Sequence, residues 1–349
     1  MATAWFAIIA LMLTVYVVLD GFDFGAGMVH LFVAKTDAER RTVLSSIGPL
    51  WDGNEVWLVA SGGVLVFAFP KAYAVAFSGF YLPIMMALWL LILRGVAIEL
   101  RSHHENPLWR RFWDVVFALA STVVAVVLGL SLGNVVRGVP IGPGGYFNAP
   151  LFTSFRPGTT TLGAIDWYTS LVGVFALVAL AGHGALYLVW KTTGPVQARS
   201  RAAARRLWLL VVILGITITV VTDAVRPELL ANLGARPWAW PLVFLVPAAI
   251  ATVVVALRRR RELLAFCASA AMLAGLLGAA AAALYPTILR STIDESLSLD
   301  VSNAAAGDRS LALGLAWWVP AMVLAVVYFA YLFRSFRGKV SPGGAHYQR

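Results

Sequence analysis

Nine apolar runs of about 20 residues follow one another along this chain, each the length that crosses the hydrocarbon core of a bilayer. They lie near residues 5–33, 47–69, 72–100, 113–136, 166–190, 207–225, 238–257, 263–285 and 311–333. A backbone surrounded by lipid must satisfy its own polar groups, so each run is expected to be a membrane-spanning helix. Composition agrees. Of the 349 residues, 60% are hydrophobic and 13% charged, where a soluble domain carries about 45–50% and 25%. The expected fold is all-α and polytopic, a single integral membrane domain over 1–349. Within it, 1–136 would form one four-helix bundle, 166–285 a second, and 311–333 a peripheral final helix.

A formal charge of +10 would point to nucleic acid in a soluble chain. Here Lys and Arg gather in short blocks between apolar runs, which reads as topology, so no nucleic-acid partner is expected. Loops after the odd-numbered runs, with the tail that includes Arg349, hold 19 of the 27 basic residues. The other side holds 7, and only Arg94 lies within a run. That bias puts the N-terminus outside and the C-terminus in the cytoplasm. The first basic residue is Lys35, so no charged stretch precedes the first run, which is expected to stay as a span rather than act as a cleaved signal. Trp238, Trp240, Trp317 and Trp318 open spans, as an interfacial aromatic belt does. Cys267 is the only cysteine, which excludes an internal disulfide or a Cys-rich metal site. It reads as a small buried helix residue.

Against this background the ionisable residues at membrane depth stand out, because each costs roughly 2.5–3.5 kcal/mol on insertion scales. The second run opens Trp51-Asp52-Gly53-Asn54-Glu55-Val56-Trp57, and the first contains Asp20-Gly21-Phe22-Asp23-Phe24-Gly25-Ala26-Gly27. Asp20 with Asp23, and Asp52 with Glu55, are three apart and so share a helical face. Gly21 and Gly25 form a small-residue pair that lets helices approach closely. In the third run, Arg94 and Glu99 are five apart and do not stack. Arg94 is expected to pair with Asp20, Asp23 or Asp52, and Glu99 to reach toward the cytoplasmic interface. The topology makes these groups converge from the cytoplasmic side, as a polar ladder of the kind a proton relay uses. Burial and a neighbouring cation pull a carboxyl group's proton affinity in opposite directions, which is how such a relay is tuned. A buried ion-pair cluster that fixes helix register is the other reading of the same residues.

His103 and His104 lie in a basic loop and His346 in the tail, while His30 and His183 fall within runs. Two isolated histidines read as hydrogen-bonded helix residues rather than haem ligands. No phosphate loop, nucleophile triad or metal-ligand cluster occurs, so no catalytic residue and no metal site are assigned to this chain.

Three motifs are recognisable together: Asp20-Gly-Phe-Asp-Phe-Gly-Ala-Gly27, Trp51-Asp-Gly-Asn-Glu-Val-Trp57, and Phe69-Pro-Lys-Ala-Tyr-Ala74 followed by Phe77-Ser-Gly-Phe-Tyr81. With Arg94, Glu99 and a final Phe336-Arg-Gly-Lys-Val340, the chain resembles subunit II of cytochrome bd-type quinol oxidases. The resemblance implies a bacterial cytoplasmic-membrane enzyme that oxidises quinol and reduces dioxygen to water. It implies haems b and d on a partner subunit I, none on this chain, and a heterodimer of the two. A structural quinone and a small single-helix accessory subunit occur with such subunits, and no residue here locates either. By motif, Asp20, Asp23, Asp52, Asn54, Glu55, Arg94 and Glu99 would serve a proton path or the subunit interface, and Trp57 would lie near an oxygen route. Glu55 departs from the family's Gln, and whether it adds a relay site or an ion pair is open. A proton-coupled transporter using the same carboxylates, or a purely structural partner of subunit I, are the alternatives.

Overall fold

A computed structural model of the protein describes residues 1–157 and 162–340; His346 and Arg349 lie outside that range. Twelve α-helices follow in chain order: α1 (Ala2–Val33), α2 (Asp37–Ile47), α3 (Trp51–Ala68), α4 (Pro70–Gly79), α5 (Tyr81–Leu100) and α6 (Pro107–Arg137), then α7 (Trp167–Lys191), α8 (Gly194–Val225), α9 (Pro227–Gly234), α10 (Trp240–Arg258), α11 (Glu262–Leu284) and α12 (Asp308–Ser335). Eight of them are long and apolar enough to cross a membrane: α1, α5, α6, α7, α8, α10, α11 and α12. The expected helical, multi-pass character holds. The run that falls short is α3, whose first turns hold Asp52, Asn54 and Glu55. One antiparallel ribbon, β1 (Thr287–Leu289) with β2 (Leu299–Asp300), interrupts the helical pattern.

Helix ends differ from the expected runs for identifiable reasons. The third run is two helices that meet at Phe80. Pro83 lacks the N–H that would bond Gly79, and its ring crowds that carbonyl. The fourth begins at Pro107, where the Asn106 side chain accepts from Leu108 N at 2.8 Å. The sixth begins at Gly194, well before the apolar stretch. Hydropathy finds the part of a helix at membrane depth and misses the turns that continue into water.

Loops with the basic blocks meet at one end of the bundle. Arg101 Nη2 donates to Asp37 Oδ1 at 2.9 Å, Arg199 reaches Glu39 at 2.9 Å, and Arg201 reaches Glu262 at 2.5 Å. At the opposite end Arg226 Nη1 donates to Val136 O at 2.7 Å, and Arg290 pairs with Glu228 at 2.9 Å. Ala306 N there donates to Ala68 O at 2.9 Å. Helix α3 therefore starts at the basic end and finishes at the other.

The middle of the fold is the crossing of α1 and α7. A Cβ on Gly25 would lie 2.0 Å from Leu180 O, and one on Gly184 would lie 2.2 Å from Gly25 C. Only glycine on both helices permits this approach, which gives the small-residue motif of α1 its partner. Trp238, Trp240 and Trp317 face outward. Trp318 instead turns inward, edge-on to Trp5 at 6.4 Å between centroids. Cys267 is exposed, contrary to its expected burial, because Phe266, Ala268 and Ser269 take the inward face of α11.

Helix α12 buries only Leu311 and Leu332, near its two ends. Beyond it the chain straps back across α7. Lys191 Nζ donates to Phe336 O at 2.6 Å, Val340 N donates to Lys191 O at 2.7 Å, and Lys339 pairs with Glu262.

Gly184→Leu is expected to force α1 and α7 apart at a cost of about 1–3 kcal/mol or more, read as a lower melting temperature of the purified protein. At the basic end, the Arg199 guanidinium beside Glu39 holds its carboxyl at about 2, below its ordinary 4.5. A depressed carboxyl stabilises the fold above its ordinary value and loses that contribution as pH falls. Stability should therefore decline between pH 4.5 and about 2, and Arg199→Gln should flatten that part of the pH–melting curve.

Candidate functional site

Helices α1, α3 and α5 bring the intramembrane charges together. Asp20 and Asp23 lie on the inward face of α1, Asn54 and Glu55 on α3, and Arg94 on α5. Asp20, Asp23, Asn54 and Arg94 are all fully buried. Arg94 Nη2 donates to Glu55 Oε1 at 2.5 Å and lies 2.7 Å from Asp20 Oδ1, the latter contact falling outside good hydrogen-bonding angles. The Phe24 ring stacks on the guanidinium, 4.4 Å from its carbon, a cation–π contact that partly replaces hydration. Asn54 Nδ2 donates to Asp23 Oδ2 at 2.7 Å and, more weakly, to Leu19 O at 3.3 Å. Trp51 closes the site from α3, where its ring would meet any side chain placed at Gly95.

Two carboxylates, those of Asp20 and the partly exposed Glu55, thus meet one buried guanidinium, with a third carboxyl group, on Asp23, beside them. Such a cluster contains more acid than cation, so its net charge depends on how many protons it holds. That is the chemistry the arrangement can perform: to take up and release protons at a fixed place inside the bundle. Several buried atoms here have no described protein partner, namely Asp23 Oδ1, Asn54 Oδ1, Tyr16 Oη, and Nε and Nη1 of Arg94. Groups of this kind in a polar site are ordinarily bridged by internal water.

The expected ladder is only partly present. Arg94 pairs with Asp20, one of its three expected partners, and also with Glu55. Asp52 and Glu99 do not join: both are exposed, on the outward faces of α3 and α5. The geometric reason is the pitch of the helix. Asp52 is three residues before Glu55, yet the inward stripe of α3 runs through Asn54, Trp57 and Ser61, which leaves Glu55 at its edge and Asp52 beyond it. Trp57 is buried, with its ring 5.7 Å from Phe329 of α12.

A second buried cluster lay unremarked in the sequence. Asp114 of α6 accepts from Arg40 Nη1 at 2.8 Å and Arg101 Nε at 2.6 Å, and its Oδ1 is 2.8 Å from His30 Nε2. Its signal was a carboxylate just inside an apolar run, the same signal that marked Asp20. At the far end Arg137 pairs with Asp166, whose side chain caps α7 by accepting from Thr169 N at 2.9 Å. His183 has both ring nitrogens engaged, with Ser269 Oγ at 2.6 Å and Val18 O at 3.0 Å. Among the described residues no group of three or more His, Cys, Asp or Glu is placed to hold a metal ion.

The family described as cytochrome bd terminal oxidase subunit II matches residues 1–336. The chain belongs to that family. Among its bd relatives, cytochrome bd ubiquinol oxidase subunit 2 of Bacillus subtilis (strain 168) is 29% identical over 333 residues, covering 95% of each chain. Cytochrome bd-I ubiquinol oxidase subunit 2 of Escherichia coli (strain K12) is 29% identical over 366 residues, 97% of this chain and 94% of the relative. A probable cytochrome oxidase subunit 2 of Haemophilus influenzae is 30% identical over 96% of this chain. The fold is also that of a chain in the structure of bd oxidase from Geobacillus thermodenitrificans, with TM-score 0.73 over 96% of this chain and 98% of that one, at 20% identity. This protein is a bd oxidase subunit II, one component of a quinol:oxygen oxidoreductase.

Arg94→Met would leave Asp20 and Glu55 without their cation, and breaking a buried pair in this way costs about 3–5 kcal/mol. A large drop in the thermal stability of the detergent-purified complex is expected. Glu55→Gln keeps an acceptor for Arg94 and should lower the same melting temperature far less.

Proposed function

We propose that the Arg94 cluster is the proton-handling centre of this subunit, serving dioxygen reduction at haems held by subunit I. One observation carries the reading: a buried guanidinium shared by Asp20 and Glu55, with Asp23 beside it. A register-fixing ion pair needs one carboxylate, and this site has three. The outward Asp52 and Glu99, on the same helices as the cluster, suit a protein partner better than lipid, because charge facing hydrocarbon is disfavoured. On this reading α3, α5 and α12 face subunit I in a heterodimer. Trp57, packed against Phe329 of α12, would lie near the route of dioxygen, as the motif implies.

On this reading haems b and d reside on the partner. His183 has no free ring nitrogen, and His30 presents Nε2 to Asp114. Quinol would be oxidised on that partner as well. No described residues mark a structural quinone or a seat for a single-helix accessory subunit. The two-ended arrangement of the loops supports nine crossings of a bacterial cytoplasmic membrane, α3 included, with the basic end in the cytoplasm and the N-terminus outside. Two four-helix halves, 1–136 and 166–285, would meet at the α1–α7 crossing with α12 at the side.

Asp23→Asn tests the assignment. With subunit I co-purified and haem content unchanged, quinol oxidase turnover is expected to fall by at least about tenfold, a modest share of what acid–base groups contribute. Unchanged turnover would leave the cluster with a structural role alone, and loss of haem together with turnover would assign it to assembly.

A further inference from the structure

The arginines at the basic end fall into two groups. Arg40, Arg41, Arg101, Arg110, Arg199 and Arg201 each meet a carboxylate. Arg205 and Arg206 of α8, with Arg258 to Arg261 where α10 turns into α11, do not. All six are exposed, and none of their side chains has a hydrogen bond or ion pair among the described residues. Arg201 reaches Glu262, the first residue of α11, so this turn of α8 lies against the α10–α11 connection. Arg205 is one helical turn beyond Arg201 on the same face, about 6 Å along the axis. The six cations therefore crowd one corner of the bundle. Glu262, the acid at this corner, already engages both oxygens, Oε1 with Arg201 and Gln197 and Oε2 with Lys339.

Helix-end electrostatics and topology do not account for this group. A cation in the last turn complements the dipole of α10, which explains Arg258 alone. Arg259, Arg260 and Arg261 lie past that turn. Orientation in the membrane needs positive charge on this side, and the paired arginines supply it equally well. Like charges packed together repel. Arg260 adds a backbone cost, with φ 55° in the left-handed region that glycine occupies more readily. What lies beneath the cations is a second, independent observation. Along α8 the exposed Leu209 and Leu210 sit four residues after Arg205 and Arg206, so each continues the stripe of one guanidinium. Along α10 the exposed Val254 and Val255 stand four residues before Arg258 and Arg259. Both helices thus place cations over a column of outward apolar side chains, which Ile213 extends on α8. That is the profile of a phospholipid, a phosphate above acyl chains, at the depth where arginine stems snorkel.

We propose that this corner is a binding site for an acidic phospholipid of the leaflet at the basic end, its phosphate held between Arg205 and Arg206 on α8 and Arg258 to Arg261 on the α10–α11 turn. Guanidinium forks match phosphate oxygens in pairs, which the point charge of an ammonium group does not. The acyl chains lie along Leu209, Ile213, Val254 and Val255. An acidic headgroup is selected over a zwitterionic one because the corner has six cations and no free carboxylate. The ammonium of a zwitterionic lipid would meet repulsion there and find no partner. Helices α8 and α10 are not among those proposed above to face subunit I, so lipid reaches them in the assembled complex. The inference does not depend on the proton-handling reading, and its test does not read turnover.

The test uses the whole complex with its partner subunit, freed of bound lipid by detergent exchange. It is titrated with phosphatidylglycerol or phosphatidylcholine, and bound lipid is counted by native mass spectrometry after haem content has been checked. Wild type should fill a first site with phosphatidylglycerol in preference to phosphatidylcholine, and added salt should weaken that preference. One cation near an anionic headgroup is worth about a fivefold factor in affinity. Arg205→Gln with Arg206→Gln should therefore weaken phosphatidylglycerol binding at least about fivefold, and Arg258→Gln with Arg259→Gln should do the same. Each double variant keeps four of the six arginines, enough to hold the orientation of the chain. Lys35→Gln with Arg111→Gln removes two exposed cations elsewhere at the same end and should leave binding unchanged. An equal loss in that control, or no loss in the corner variants, would overturn the site. Displacement of phosphatidylglycerol by an equal concentration of inorganic phosphate or polyglutamate would assign the arginines to a soluble anion and overturn it as well.

Discussion

The guanidinium of Arg94 is the constraint around which the rest of the fold is arranged. A fully buried cation at membrane depth survives only if its counter-charges arrive from other helices with good geometry. Asp20 comes from α1 and Glu55 from α3, so three helices are tied at one point. The remaining carboxyl group, on Asp23, has no cation of its own and is held by Asn54. Burial strengthens the charge interactions among these groups.

Close packing elsewhere keeps these groups inside the bundle. Helices in lipid gain little from the hydrophobic effect and rely on contact and hydrogen bonding. The Gly25–Gly184 approach lets α1 sit directly on α7, while both aspartates turn toward α3 and α5. Gly27 performs a related service against α6, where Ser121 takes the space a side chain would fill. One helix thus carries acids and glycines alternately, and the glycines decide how near its neighbours come to the acids.

Much of this could be read from the chain. The helical membrane class and the packing role of Gly25 followed from residue types and spacing, Asp20 was one of three partners expected for Arg94, and the family was carried by the resemblance of the motifs. What could not be read was rotation. Asp52 and Glu55 share a face in the coarse sense, yet a shift of about 100° per residue separates an edge position from an outward one. Asp114 escaped notice for another reason. Its partners, His30, Arg40 and Arg101, belong to three distant segments, and the arginines had already been assigned to topology. Helix ends were misplaced wherever a helix outran its apolar stretch, as α8 does, or broke within one, as at Pro83.

The strap beyond α12 has a bearing on how the protein is made. Its partners, Lys191 and Glu262, end α7 and begin α11, segments synthesised before residues 336–340. Helix α12 finds little to grip along its length, so its last residues can lock only onto a bundle whose earlier members are already in register. Residues 336–340 thereby tie the end of α12 to the end of α7 and the start of α11, fastening a helix that grips the bundle little along its length.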